Sequence, residues 1–336
     1  MLVIRPIHTN DYPALMAIAK ASGHGFTSLP IDEKLLRNKI TTSMRSFAST
    51  VTEPGGESYL MVLEDNGQVV GTCAIAAAVG HDDAFYHYRL GKDVHVSDKL
   101  QIRREVETLT LCNDYTGASE LCTLFLMPEY RRDNIGRFLS RSRFLMMAAF
   151  PERFSDTVIA EMRGVSDDNG DSPFWQWLQT HFFGIDFPTA DYLTGIGEKS
   201  FVAELMPRHP VYVNLLSEAA QGVVGKVHTN TAPALSLLRA EGFTFRNYVD
   251  IFDAGPTVEC QRQQIRAVQL SEPRHCQLHA VVDSAAQYII SNGRPDNYRV
   301  VRAPVELLDG DQVGVSADTL AALQLQSGDP LWILSL

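Results

Sequence analysis

Residues 131–137 read Arg131, Arg132, Asp133, Asn134, Ile135, Gly136, Arg137, three arginines and a glycine between two apolar segments. Before them, the run from Leu121 to Met127 has the length and character of a buried strand, and Pro128 ends it. After them, Phe138, Leu139, Phe144, Leu145 and Ala148 recur at helical spacing. A chain that leaves a strand, turns tightly and enters a helix aims several backbone N–H groups at one point. The helix dipole adds partial positive charge there and the arginines add full charges. This is chemistry for holding a pyrophosphate, and it makes coenzyme A or a nucleotide the first ligand class to consider.

The loop has neither the Gly-Lys-Ser/Thr of a Walker A motif nor a GxGxxG fingerprint. It resembles the pyrophosphate loop of the GNAT (N-acetyltransferase) superfamily, Arg/Gln-x-x-Gly-x-Gly/Ala, through Arg131-x-x-Asn134-x-Gly136. Asn134 stands where the first glycine is usual, and asparagine tolerates the left-handed backbone better than most residues. Taken alone, the same residues also fit a basic helix start on an ordinary surface.

The elements around the loop read as follows. Residues 1–7 alternate and predict a strand; Asn10 or Asp11 then caps a helix beginning near Pro13. An amphipathic helix is expected near 32–47, and 58–64 with 69–78 form a hairpin around Asp65-Asn66-Gly67. Residues 80–118 read as a strand-rich insertion and 157–163 as a further strand. A helix near 172–182 is expected to be capped by Ser172-Pro173, and its stripe of Phe174, Trp175, Leu178 and Phe182 reads as core. Residues 222–252 predict strand, helix capped by Thr229 or Asn230, a stop at Gly242, and strand. The tail from about 260 has short strands, one small helix and a Gly-Asp turn.

With 336 residues the chain can bury a large core in more than one unit. A hydrophobic content of 45% with a charged content of 21% is that of a soluble globular protein, and no apolar run reaches membrane-spanning length. The N-terminus lacks the apolar core of a signal peptide, so a cytoplasmic protein is expected. A net charge of −11 argues against a nucleic-acid surface. Cys73, Cys112, Cys122, Cys260 and Cys276 form no CxxC pair and read as reduced, mostly buried thiols. His81, His87 and His95 have no metal-ligand spacing and read as a solvated surface; no metal is expected.

A larger set of motifs narrows the resemblance. TSLP (27–30), SELCTLFL (119–126), SRSRFLMMAAF (140–150), AEMRG (160–164), SPFWQ (172–176), AELMPRHPVY (203–212), GKVH (225–228), EGF (241–243) and NYVDIFDAGPTVEC (247–260) together resemble bacterial arginine N-succinyltransferases over almost the whole chain, most weakly in 260–336. The resemblance implies an α+β fold: a GNAT-like mixed sheet flanked by helices, a second partial acyltransferase-like unit and a small β-rich C-terminal appendage. The expected division is 1–190 for the acyl-CoA-binding unit, 191–260 for the unit carrying His228, and 261–336 for the tail.

It further implies transfer of a succinyl group from succinyl-CoA to the α-amine of L-arginine, the first step of ammonia-producing arginine catabolism. Succinyl-CoA is then a co-substrate and no permanently bound cofactor is needed. The family's proton-donor histidine falls on His228, and its acyl-CoA contact falls on Leu124, with Phe125 and Leu126 on the same strand. The superfamily's phosphate contacts fall on Arg131, Arg132, Asn134, Gly136 and Arg137. In such folds a backbone N–H near 124–126 polarises the thioester carbonyl, an interaction worth about 2.7–4 kcal/mol when aligned. No cysteine lies in a nucleophile motif of the family, which favours direct attack in a ternary complex.

The guanidinium of an arginine substrate calls for a carboxylate with planar, bidentate geometry. Glu120, Glu161, Asp250 and Asp253 are candidates, with Glu161 first because it lies within an apolar strand. Arg163, Thr27 and Ser28 are candidates for the substrate's α-carboxylate. The residues that read the succinyl carboxylate are not visible in the sequence. Two other readings stay open: an N-acyltransferase for another donor or amine such as ornithine, and a silent acyl-CoA-binding subunit. A homo- or hetero-oligomer is expected from size and the β-rich tail.

Overall fold

The structure is a computed structural model; it describes every residue except 24–27, 82, 168–169, 196–199 and 283. Its described strands are β1 (Leu2–Pro6), β2 (Ser58–Asp65), β3 (Gln68–Ala76), β4 (His87–Ser97), β5 (Ile102–Cys112), β6 (Ser119–Leu126), β7 (Thr157–Glu161), β8 (Val211–Tyr212), β9 (Thr244–Val249), β10 (Pro256–Gln261), β11 (Glu272–Leu278), β12 (Gln287–Ser291), β13 (Val300–Pro304), β14 (Glu306–Leu307), β15 (Gln312–Val315) and β16 (Pro330–Ser335). They form one mixed sheet in the order β14-β15-β11-β16-β12-β13-β1-β2-β3-β6-β7-β10-β9-β4-β5-β8. The fold is therefore the expected α+β mixed sheet flanked by helices, with extra C-terminal strands added beside β1.

Alternation along β2 sorts the two faces. Tyr59, Met61 and Leu63 point toward the helix Ile135–Ala149. Leu60 and Val62 point toward the helices Tyr12–Ser22 and Glu33–Ala48. This is the period-two signature of a sheet buried on both sides. The Asn66-Gly67 turn carries positive φ at both residues, which joins β2 to β3 as their sequence requires. The β4–β5 hairpin supplies the predicted strand-rich insertion and leads through β9 back to β10.

The feature that matters most for chemistry lies in the middle of the sheet. β6 and β7 run parallel and pair only at Ser119↔Val158 and Glu120↔Ile159. Beyond that point β6 stays with β3 and β7 stays with β10, so the two strands part and a slot opens between them.

Several local expectations are corrected. Residues 222–228 do not form a strand; Val227 makes one isolated bridge to Gly164, because the segment is held by single contacts to neighbouring turns rather than by a ladder. The helix Ala232–Ala240 has Thr231 at its N-cap, not Thr229 or Asn230, and the His228 carbonyl accepts the Thr231 and Ala232 amides there. Asp11 is the N-cap of the first helix but accepts from His8 N and pairs with Arg5, so it braces β1 rather than capping with its side chain. The strand predicted over 157–163 ends at Glu161, since the chain there turns to meet the 250–255 loop.

Candidate active site

The arginine loop lies where its sequence placed it, between β6 and the helix Ile135–Ala149. Asp133 and Asn134 both adopt left-handed backbone, φ 51° and 60°, so Asn134 supplies the conformation that the usual glycine would. Ile135 N donates back to the Arg132 carbonyl at 2.9 Å. The next first-turn amides, Gly136 and Arg137, are those that a helix start turns outward. Arg131 and Arg132 are exposed and Arg137 half-buried. Arg131 Nε donates to the Leu126 carbonyl at 2.9 Å and its guanidinium lies 5.5 Å from the centre of the Phe125 ring, which locks the loop to the end of β6. From the C-terminal strands, Arg302 on β13 donates to the Asp133 carbonyl at 2.6 Å.

Within β6, Thr123 has φ 55° and the register with β3 slips between Thr72 and Ala74. This is a β-bulge, and Thr72 Oγ1 stabilises it by donating to the Thr123 carbonyl at 3.0 Å. A bulge rotates the backbone groups beside it, so Thr123 and Leu124 leave the regular ladder beside the slot, and the ladder resumes at Phe125 and Leu126 opposite Thr72 and Gly71. Leu124 packs on the side of the loop helix and Phe125 on the opposite face.

At the end of β7 three turns meet. Gly164 N donates to Asp253 Oδ2 (2.6 Å), Gly255 N to Asp253 Oδ1 (2.8 Å), and Gly225 N to the Ala254 carbonyl (2.9 Å). Burial and the neighbouring Asp250 push the Asp253 carboxyl well above its ordinary value, against these two amides. His228 N donates to the Arg163 carbonyl at 2.9 Å, two residues beyond Glu161. Asn230 N donates to His228 Nδ1 at 3.1 Å. A backbone amide only donates, so Nδ1 keeps its lone pair and the neutral ring carries its proton on Nε2. The half-buried imidazole thus presents Nε2–H as its donor.

The carboxylates gather on the face opposite the loop helix. Glu161 shares the side of Ile159, and its side chain is 26% exposed. His87 Nε2 stands 2.9 Å from Glu161 Oε1, yet neither ring nitrogen has an aligned hydrogen bond. His87 is the correction to the surface reading: it is fully buried, edge-on to Phe85, Tyr115 and Tyr248. Burial pushes its pKa down to about 4, opposed by Asp250, Glu120 and Asp114. Those acids therefore share one neighbourhood with Glu161. Asp250 Oδ1 accepts the Phe252 and Asp253 amides, which commits that oxygen to the turn. Arg163 Nη2 donates to Ser166 Oγ at 2.7 Å. Ser28 lies on a half-buried turn, and Thr27 falls outside the described residues. Cys122, one residue before the bulge, has its thiol pushed up to about 12, chiefly by burial; it stays protonated at neutral pH and is a poor nucleophile.

A family model described as arginine N-succinyltransferase beta subunit matches residues 2–267, and the C-terminal domain model of the same subunit matches 274–335. The chain belongs to the arginine N-succinyltransferase family. It is 46% identical over 328 residues to the arginine N-succinyltransferase subunit beta of Pseudomonas aeruginosa, covering 97% of this chain and 96% of that one. It is 44% identical over 343 residues to the arginine N-succinyltransferase of Citrobacter koseri, covering 100% and 98%. Among solved structures, arginine/ornithine succinyltransferase subunit AI from Pseudomonas aeruginosa matches with a TM-score of 0.90 at 35% identity, over 100% of this chain and 98% of that one. The arginine N-succinyltransferase family fixes the reaction class: this chain is an acyltransferase.

Sequence reasoning missed two parts of the site. Thr123 gave no signal, because a bulge at a threonine is set by pairing with β3. His87 was hidden because, beyond the adjacent Phe85, its burial comes from Tyr115 and Tyr248 on two distant segments.

Proposed function

We propose that this chain transfers the succinyl group of succinyl-CoA to the α-amine of L-arginine by direct attack in a ternary complex. The observation that carries the reading is the convergence at one slot: the bulge of β6 on one wall, and Glu161 with the Arg163-held His228 on the other. In this reading the loop from Arg131 to Arg137 takes the pyrophosphate, with Arg131, Arg132 and Arg137 supplying charge and the amides after Asn134 supplying donors. The backbone from Leu124 to Leu126 receives the thioester oxygen as it becomes an oxyanion.

The amine must lose a proton to attack, and the CoA thiolate must gain one. We assign the second task to His228, which gives its Nε2 proton to the thiolate as the imidazolium and is left neutral, the Asn230 amide releasing Nδ1 while both nitrogens are protonated. The reacting amine has to sit at the mouth of the slot, where Glu161 is. We therefore assign Glu161 to the α-ammonium, and Glu120 and Asp250 to the guanidinium. Arg163 and Ser28 are assigned to the α-carboxylate. The high value of the Cys122 thiol supports direct transfer over an acyl-enzyme.

Ornithine is the second amine to consider, favoured by the name of the solved Pseudomonas relative. The subunit designations of two relatives support an oligomer, homomeric or heteromeric. The deciding experiment is thiol release from succinyl-CoA with L-arginine or L-ornithine, in wild type and His228→Ala. Release with arginine that drops about 100-fold or more in the variant supports both activity and donor. Undiminished release keeps the activity and removes the role of His228; CoA binding without turnover of either amine leaves a silent binding subunit.

A further inference from the structure

Arg143 is the most deeply buried guanidinium near the slot, 2% exposed in the middle of the helix Ile135–Ala149. Among the described residues its hydrogen bonds go only to its own turn: Nε to the Ser140 carbonyl at 3.2 Å and Nη2 to Ser140 Oγ at 2.9 Å. No carboxylate pairs with it among the described residues. The other buried arginines are differently supplied. Arg141 pairs with Glu241 at 2.7 Å, and Arg153 donates to the Ser46 and Ser49 carbonyls and to Tyr59 Oη. A guanidinium has five N–H donors and is always charged, so burying it with so few acceptors is costly unless a further anion completes the site.

The location says which anion. The neighbouring Ser142 Oγ is 3.9 Å from Cys73 Sγ. Cys73 lies between Thr72, opposite Phe125, and Ala74, opposite Cys122. It therefore faces the bulged pair Thr123–Leu124 across the β3–β6 ladder. The helix that carries Arg143 packs against both β3 and β6, and the Arg143 charge acts on the thiols of Cys73, opposite the bulge, and Cys122, just before it, while burial lowers Arg143 itself below its ordinary value. Arg143 thus lies under the stretch of β6 where the acyl carbonyl is held in the reading above.

We propose that Arg143 is a specificity residue for the acyl donor, its planar fork receiving the distal carboxylate of the succinyl group whose thioester carbonyl lies at the β6 bulge. This inference rests on the succinyl-CoA reading and supplies the cation that a dicarboxylic acyl group needs. Bidentate pairing suits arginine and not lysine. A neutral acyl chain of the same length, butyryl, gains nothing from the guanidinium and leaves it unpaired.

The test measures thiol release with L-arginine for succinyl-CoA and butyryl-CoA, in wild type, Arg143→Met and Arg143→Lys. For Arg143→Met the expected result is a fall in kcat/KM for succinyl-CoA on the order of 100-fold, with butyryl-CoA unchanged or improved. Arg143→Lys keeps the charge without the fork and is expected to lower the succinyl-to-butyryl ratio about tenfold. A merely structural arginine would depress both donors together, and an unchanged donor ratio in whichever variant folds overturns the proposal. Wild type that turns over arginine without preferring succinyl-CoA to butyryl-CoA removes the succinyl-CoA reading, a result visible before either variant is made.

Discussion

His87 shows what one side chain contributes when the fold surrounds it. Its ordinary pKa of 6.5 is pushed down to about 4 in the folded protein, first by burial. Between those two values the unfolded chain binds the proton and the folded chain does not. The stability this neutral ring contributes is therefore complete above pH 6.5 and lost as the pH falls toward 4. By pH 5 the loss is about 2 kcal/mol relative to pH 7. Asp253 shifts the opposite way and partly masks this in the wild type. The informative quantity is the difference from His87→Phe, whose denaturation midpoint is expected to fall less between pH 7 and pH 5. Parallel curves would mean that folding leaves the proton affinity of His87 unchanged, and a wild type that falls less than the variant would mean that His87 holds its proton beside Glu161. At the same scale, Glu161→Gln keeps shape and removes charge. It is expected to raise KM for arginine about tenfold or more, with KM for succinyl-CoA little changed, in steady-state thiol-release kinetics.

At the scale of elements, the seat of His228 depends on close backbone approach. A Cβ on Gly255 would lie 2.1 Å from the Met162 carbonyl and 2.5 Å from Gly164 N. A Cβ on Gly164 would meet the Asp253 carbonyl at 2.5 Å. These contacts are with backbone, so no side-chain rotation relieves them. Gly255→Ala is expected to destabilise the protein by about 3 kcal/mol in chemical denaturation. Because the same turn positions residues 225–228, kcat should fall in the fraction that stays folded. Thr123 makes the parallel point for β6: its left-handed φ is imposed by the Thr72 hydrogen bond and the slipped register, and both belong to β3.

At the scale of the whole molecule, the C-terminal strands are part of the catalytic unit's frame. Arg141 and Glu241 form an ion pair with both side chains 5% exposed; Arg141 also donates to the Ser335 carbonyl, and Glu241 Oε2 accepts Ala267 N. Four distant segments meet there. Glu241→Ala strands a buried guanidinium and is expected to cost about 3–5 kcal/mol, read as a lower denaturant midpoint at unchanged slope. Arg302 reaches from β13 to the Asp133 carbonyl at the left-handed corner of the loop. Arg302→Ala is expected to raise KM for succinyl-CoA about five- to tenfold with kcat and KM for arginine unchanged, since one charge-assisted hydrogen bond holding the corner is lost.

The residues by themselves determined the strand–loop–helix of 119–149, the Asn134 turn, the 58–76 hairpin and the family. Each of these rests on local spacing, on backbone preference, or on motifs that stay legible in order along the chain. The tertiary structure decided where the strands part and which acids share the neighbourhood of His87. It also decided that 222–228 is held by isolated contacts, and that Arg143 lies under the bulge. Those features come from pairing and burial between segments far apart in the chain. A histidine or arginine reads the same in sequence whether water or a packed core surrounds it, and desolvation, which sets its charge and its partners, exists only once the distant segments have closed around it.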